Sequence, residues 1–228
     1  MLSYSKPYII KAAQAHTATM IIVHGLGDSG HGWTHVALYL KRYMPHIKFV
    51  LPHAPARRIT INGGMAMPGW YDICDLGNNI ERKQDEEGMM ESRRYIQGLI
   101  DEEIRSGIPS DRIVLGGFSQ GGAMTLLTGL TCPHKLAGLA VLSGYLPIHK
   151  KIFSLSTDQS KSVPIFQVHG EVDQVIDFSL AEQSQVELKK NEYNVEFHKY
   201  PDMGHEACQE EVSHLLTFLK KIIPEKQP

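Results

Sequence analysis

Short apolar runs recur along the chain, and segments with helical periodicity lie between several of them. The runs are rich in β-branched and aromatic residues, as β-strands are. They cover residues 20–23, 48–51, 113–115, 139–142, 164–168 and 195–200. Alternation of strands with helices is typical of a mainly parallel central sheet that carries helices on both faces. We therefore predict an α/β fold of this kind.

Two segments have the spacing of amphipathic helices. Their apolar residues recur every three or four positions, which places them on one helix face. In the first segment these residues are Ile96, Leu99, Ile100 and Ile104, and in the second they are Val212, Leu215, Leu216 and Leu219. Gly107 with Pro109 predicts the end of the first helix, and Pro224 the end of the second. Both stripes are interpreted as core packing.

The segment from residue 53 to residue 88 lacks such periodicity. It is rich in Gly, Pro, Asn and Met, and it ends in the acidic cluster Asp85-Glu86-Glu87. Structureless stretches of this length are uncommon inside compact domains, where they often form lids or binding loops. We predict a long functional loop here, with the acidic cluster at the start of the next helix.

Composition narrows the class of protein. The length of 228 residues fits one domain over residues 1–228, and a formal net charge of −2 offers no basic surface for nucleic acid. We find no apolar run of bilayer length and no signal-peptide core near the first residue. The three cysteines are widely spaced and odd in number, which fits reduced thiols. We expect a soluble, cytoplasmic protein.

The most informative motif is Gly117-Phe118-Ser119-Gln120-Gly121, which reads GxSxG. A strand-like run precedes it and a helix-compatible run follows it, so the serine lies at the apex of a strand–turn–helix unit. In a nucleophile elbow the two glycines are required because the turn is strained and leaves no room for a Cβ. The context predicts that Ser119 is a nucleophile.

A serine hydroxyl needs a base to accept its proton and a third group to orient that base. Asp173 follows the run that ends near Gly170, and His205 follows the last strand-like run. The chain order Ser, Asp, His is that of α/β-hydrolases. We predict Asp173 as the orienting acid and His205 as the base. Glu171 and Asp177 are rival acids, and several other histidines, among them His46, are expected to face solvent or to cap helices.

Glycines also follow the first strand, in His24-Gly25-Leu26-Gly27-Asp28-Ser29-Gly30. Read as GxGxxG, the loop would bind a dinucleotide, but the acid expected about 20 residues later is missing. An oxyanion hole fits better, with backbone amides donated by Leu26 and by Gln120.

Two other hypotheses concern a metal site and a cysteine nucleophile. His31 and His35 have the i, i+4 spacing of zinc ligands, but no matching carboxylate or thiolate accompanies them, so we expect no metal and no cofactor. Cys208 lies near His205, so a nucleophilic cysteine is a second hypothesis for this region, but we favour a partly buried, inert thiol.

Several longer motifs resemble the acyl-protein thioesterase and lysophospholipase-like carboxylesterases of the α/β-hydrolase superfamily. They span the chain from residue 19 to residue 218 and include HGLGDSGHGW at 24–33, PHAP at 52–55, AMPGWYD at 66–72, GIPSDRIVLGGFSQGGAM at 107–124, LAGLAVLSGYLP at 136–147 and MGHEACQEE at 203–211. The resemblance implies the same triad and the same oxyanion amides. This chain departs from the family pattern at Gln174, since family members often carry proline directly after the acid.

The resemblance implies a substrate as well: a long acyl chain on a protein cysteine, removed through an acyl-Ser119 intermediate. Expected partners are S-acylated proteins such as palmitoylated membrane-associated signalling proteins, and lysophospholipids, with transient contact at the membrane surface and a cytoplasmic or also nuclear location. The resemblance favours Trp70, Ile73 and Leu76 of the long loop as residues that line the acyl groove. Packing of the loop onto the rest of the domain would equally explain why these positions are apolar. A general carboxylesterase and a non-catalytic lipid-binding module are the alternative functions.

Overall fold

A seven-stranded sheet forms the centre of the computed structural model, which describes residues 3–225. The strands of this sheet are β1 (Tyr8–Ile10), β2 (Ala18–Val23), β3 (Ile47–Leu51), β6 (Ile113–Phe118), β7 (Gly138–Leu142), β8 (Ile165–Gly170) and β9 (Val195–Tyr200). They follow the spatial order β1-β3-β2-β6-β7-β8-β9, and all neighbours are parallel except the antiparallel pair β1 and β3. The predicted mainly parallel sheet is confirmed.

Helices cover both faces of the sheet, as predicted. They are α1 (Thr34–Tyr43), α2 (Glu86–Arg105), α3 (Gln120–Leu130), α4 (His149–Leu155), α5 (Phe178–Lys190) and α6 (Gln209–Ile222). Two hydrophobic clusters lie on opposite faces of the sheet, and successive residues of β2 belong to them alternately. Ile21 belongs to the cluster that includes buried residues of α2 to α5, whereas Met20 and Ile22 belong to the cluster that includes those of α1 and α6. The sheet thus divides the core into two layers because successive strand side chains point to opposite faces.

Both predicted helices begin and end near the expected signals. The Asp85 side chain accepts a hydrogen bond from the Gly88 amide and caps α2 at the acidic cluster. The helix stops before Gly107, whose φ of 101° lies in the left-handed region. In α6 the predicted stripe is buried, and the helix ends shortly before Pro224.

The predicted long loop is more structured than the sequence indicated. A two-stranded antiparallel hairpin, β4 (Ala56–Ile59) and β5 (Met65–Pro68), occupies its first half. Gly63 and Gly64, both with positive φ, lie in the connection between the two strands. The hairpin was missed because its strands are short and partly exposed, so no alternating pattern appears. The edge strand β1 was missed for the same reason.

None of the helices within the described residues combines the length and the apolar character that a membrane crossing requires.

Candidate active site

Ser119 lies at a sharp turn between β6 and α3. Its φ of 56° and ψ of −119° are unfavourable for a residue with a side chain, so the surrounding structure must hold it there. A Cβ at Gly117 would collide with the Gly121 carbonyl, and a Cβ at Gly121 would collide with the Val23 carbonyl of β2. Both glycines of the motif are therefore required by close packing of the helix against the strands.

The structure brings Ser119, His205 and Asp173 into one chain of hydrogen bonds. His205 Nε2 lies 2.9 Å from Ser119 Oγ, and His205 Nδ1 lies 2.7 Å from Asp173 Oδ2. The three residues follow β6, β9 and β8, whose carboxyl ends meet at one edge of the parallel sheet. The Asp173 side chain has no exposed surface, whereas 16% of the His205 side chain is exposed. A reactant can thus approach the histidine and serine while the acid stays shielded.

Three hydrogen bonds and one further polar contact fix the Asp173 carboxylate. Oδ1 accepts the amides of Val175 at 2.8 Å and Ile176 at 2.9 Å, and Oδ2 faces His205 and, at 3.3 Å, His169 Nε2. Burial raises the pKa of Asp173, but the interactions with His169, with His205 and with the Ile176 amide outweigh it and hold the pKa well below its usual range. The acid is therefore ionised and oriented even though no proline follows it.

The predicted oxyanion amides belong to two neighbouring elements. Gln120 is the first residue of α3, where backbone N–H groups lack helical partners, and Leu26 lies in the loop after β2, the strand paired with β6. Within the described residues, neither amide donates a hydrogen bond to another protein group. Gly27, with φ of 79°, allows the turn that follows Leu26. The assignment of these amides to an oxyanion stays a prediction.

A buried polar network stands behind the oxyanion loop. The Trp70 indole N–H donates to the His24 carbonyl at 2.8 Å, and the Trp70 amide donates to Gln120 Oε1 at 2.7 Å. His24 Nε2 accepts the Ala54 amide at 3.0 Å, which leaves Nδ1 to donate to the Gly25 carbonyl at 2.7 Å. Burial lowers the pKa of His24, so the ring is neutral in this role. The network fixes the loop that contains Leu26 against the serine turn.

The three residues predicted for the acyl groove occupy different environments. Trp70 has no exposed surface, so it supports the site from behind and offers no wall to a substrate in this conformation. Ile73 is half-buried and packs against the core, and Leu76 is 65% exposed. Only Ile73 and Leu76 are accessible as groove residues, and that role stays a prediction for both.

The other candidate ligands and the candidate thiol make contacts of their own. Among residues 3–225, no group of three His, Cys, Asp or Glu side chains is arranged to hold a metal ion. His35 Nδ1 instead faces the Gly32 carbonyl at 3.0 Å. Cys208 Sγ accepts the Glu211 amide and caps α6, whereas His205 faces Ser119. The geometry favours the serine over the cysteine as nucleophile.

Two buried histidines of this region were not singled out from the sequence. His24 directly follows β2, and His169 is the next-to-last residue of β8; both are buried, where polar residues are unexpected. A histidine directly after or within a buried apolar strand was the available signal, because a buried polar ring requires partners. His46 was expected at the surface or at a cap, but it is buried and its Nε2 faces the Ile223 carbonyl at 3.0 Å.

The mainly parallel sheet, the strained serine turn after a strand and the Ser–His–Asp hydrogen-bond chain in this chain order together define an α/β-hydrolase. The sequence profile of the phospholipase/carboxylesterase family matches residues 5–223, and the chain belongs to that family.

The similarity to known proteins extends over nearly the whole chain. Acyl-protein thioesterase 1 of Neurospora crassa is 46% identical over 98% of this chain and 94% of its own length. Acyl-protein thioesterase 1 of Gibberella zeae is 45% identical over 96% and 97%. The crystal structure of acyl-protein thioesterase 2 from Zea mays superposes with a TM-score of 0.86 at 28% identity and covers 96% of this chain and 100% of its own. The crystal structure of SOBER1 from Arabidopsis thaliana gives a TM-score of 0.87 at 30% identity, with 91% and 99% covered.

Proposed function

We propose that this protein is an acyl-protein thioesterase that removes long acyl chains from cysteines of S-acylated proteins. The observation that supports it most strongly is the hydrogen-bond chain from Ser119 through His205 to Asp173 in a chain similar to proteins named acyl-protein thioesterase. A non-catalytic lipid-binding module would have no need of a strained serine with an oriented base.

The geometry supports a two-step acyl transfer. Ser119 Oγ attacks the thioester carbonyl carbon while His205 Nε2 accepts the hydroxyl proton, and the amides of Leu26 and Gln120 bind the resulting oxyanion. The C–S bond then breaks, and the departing sulfur receives the proton from His205. A water molecule, deprotonated by His205, attacks the acyl-Ser119 carbonyl carbon. The C–O bond to Ser119 then breaks, His205 Nε2 returns the proton to Ser119 Oγ, and the fatty acid is released. Asp173 keeps Nδ1 protonated throughout, so that Nε2 is free to accept.

Cleavage of a thioester requires less general-acid help from His205 than cleavage of an ester does. A cysteine thiol has a pKa of about 8.5, far below that of an alcohol, so the thiolate leaves readily. Ester cleavage uses the same catalytic residues, but the alkoxide that departs is a poorer leaving group than a thiolate. Lysophospholipids and small esters are therefore expected as weaker substrates of the same site.

The acyl chain requires an apolar receiving surface. Burial of a palmitoyl chain in a membrane is favourable by on the order of 12 kcal/mol, at about 0.8 kcal/mol per buried methylene. We infer that the enzyme contacts the membrane surface transiently and receives the chain along Ile73 and Leu76. Three free thiols support a reducing location, which we propose is the cytoplasm or nucleus.

The test compares hydrolysis of a palmitoyl-cysteine peptide with hydrolysis of a short-chain aryl ester by the purified protein. Ser119→Ala is the blank, and Ser162→Ala, at an exposed serine, is the matched control. We expect turnover of both substrates, with higher kcat/KM for the palmitoyl peptide, and loss of both in Ser119→Ala only. Turnover of the short ester alone would identify a general carboxylesterase. Fluorophosphonate labelling that persists in Ser119→Ala would overturn the assignment of the nucleophile.

A further inference from the structure

His169 is a fully buried histidine that the acyl-transfer steps do not use. It lies in β8, directly before the loop that contains Asp173. Its Nε2 lies 2.8 Å from the Ile176 carbonyl oxygen and 3.3 Å from Asp173 Oδ2. The triad carboxylate thus faces two histidines, of which only His205 reaches the serine.

The neighbours of His169 define its tautomer. A carbonyl oxygen only accepts, so the hydrogen must reside on Nε2, which donates it to the Ile176 carbonyl, while Asp173 Oδ2 lies 3.3 Å from the same nitrogen. Nδ1 is buried, and no hydrogen-bond partner for it occurs among the described residues. Every polar contact of the ring is therefore directed at the loop of the acid.

The contacts of His169 close this loop at two points. Ile176 donates its amide to Asp173 Oδ1 and accepts the His169 N–H through its carbonyl, while Asp173 Oδ2 lies 3.3 Å from His169 Nε2. The end of β8, the carboxylate and the far end of the loop are thereby joined. Rotation of the carboxylate would break the bond to the Ile176 amide and the contact with His169, so the arrangement resists a change in the direction of Oδ2.

We propose that His169 is a positioning residue that holds Asp173 Oδ2 in line with His205 Nδ1. The proposal rests on the proposed role of Ser119, His205 and Asp173. Its consequence is that kcat depends on the N–H that residue 169 presents to the carboxylate, whereas substrate binding does not. A residue that merely filled space in the core would show no such dependence.

The variants separate the hydrogen bond from the volume of the ring. His169→Phe keeps an aromatic ring and removes the donor, whereas His169→Gln places an amide N–H near the position of Nε2. His46→Phe is the matched control: His46 is also buried, its Nε2 also faces a carbonyl oxygen, and its Nδ1 also has no partner among residues 3–225, but it lies directly before β3.

Two readouts are measured on each variant: kcat and KM for the short-chain aryl ester, and the low-field proton NMR resonance of His205 Nδ1–H, assigned by its loss in His205→Ala. For His169→Phe we expect kcat to fall about tenfold, the loss that one hydrogen bond causes, with KM within about twofold and a displaced or broadened resonance. We expect His169→Gln to recover most of the rate and the resonance, and His46→Phe to resemble the wild type in both.

A wild-type kcat and an unchanged resonance in His169→Phe would overturn the proposal. So would equal rates in His169→Gln and His169→Asn, since the asparagine amide is one methylene too short to reach the carboxylate; this pair decides the matter if the phenylalanine variant does not fold. Absence of Ser119-dependent turnover in the wild type would instead contradict the proposed function, while the resonance would still report on the contact between His169 and Asp173.

Discussion

At the scale of single residues, the direction of hydrogen atoms around Asp173 decides whether the site can react. The carboxylate accepts from His205 Nδ1, which leaves Nε2 to accept the proton of Ser119. In Asp173→Asn, the new amide can donate to Nδ1 and so favour the tautomer that carries hydrogen on Nε2. We expect kcat to fall by about 10⁴ with little change in KM, measured with the aryl ester under steady-state conditions.

The same substitution at Asp177 provides the control for this prediction. Asp177 is exposed and caps α5 by accepting the Ser179 amide, a role that asparagine performs equally well. Asp177→Asn should therefore retain the wild-type kcat. A comparable loss of activity in both variants would show that the acid loop is sensitive to any change of charge, and would contradict a special role for Asp173.

At the scale of elements, the packing of α3 against β2 and β6 determines the serine turn. A Cβ at Gly121 would overlap the Val23 carbonyl, which as backbone cannot move aside without shifting β2. We expect Gly121→Ala to lower the free energy of unfolding by about 3 kcal/mol and to slow labelling of Ser119 by a fluorophosphonate. Urea titration and a labelling time course measure the two effects.

Gly98 provides a matched glycine on another helix. It lies in α2, and a Cβ there would meet nothing within 4 Å. Gly98→Ala should raise the free energy of unfolding by about 0.5–1 kcal/mol, because alanine loses less backbone entropy in a helix. If the two glycine variants behaved alike, steric contact at Gly121 would not be the reason for the motif.

The loop between β5 and α2 contains Ile73 and Leu76, the residues proposed to line the acyl groove. Leu76 is 65% exposed there. If an acyl chain covers it, Leu76→Ser should lower kcat/KM for a long-chain ester about fivefold, the effect of roughly 1 kcal/mol of lost apolar burial, and leave a short-chain ester unchanged. Val186→Ser, at a valine of α5 that is 59% exposed, should change neither. Equal effects on both chain lengths would place Leu76 outside the groove.

At the scale of the whole molecule, one buried carboxyl group makes stability depend on pH. Glu211 is fully buried at the start of α6, and desolvation raises its pKa to about 8 from an ordinary value of 4.5. Because the folded state favours the protonated form, its contribution to stability is complete below about pH 4.5 and is lost as the pH rises towards 8. The protein should therefore lose stability across this window.

Glu211→Gln removes the titration while its amide oxygen can still accept the Cys208 N–H. We expect the variant to gain stability relative to the wild type between pH 5 and pH 8.5, by up to roughly 4 kcal/mol at about 1.4 kcal/mol per pKa unit. The free energy of unfolding in urea at both pH values measures this difference. Glu210→Gln, at the exposed neighbour, should show no such trend; a trend in both variants would assign the effect to the net charge of the helix start.

The sequence by itself determined the parallel sheet, the helices that end near Gly107 and Pro224, and the order Ser119, Asp173, His205. These follow from local periodicity, helix-end chemistry and a short motif, all of which the chain expresses within a few neighbouring residues. Only the tertiary structure decided that Trp70 is buried behind the oxyanion loop and that His169 shares the carboxylate of Asp173. Such contacts join residues from separate loops and strands, and no local pattern specifies which side chains will meet across a folded core.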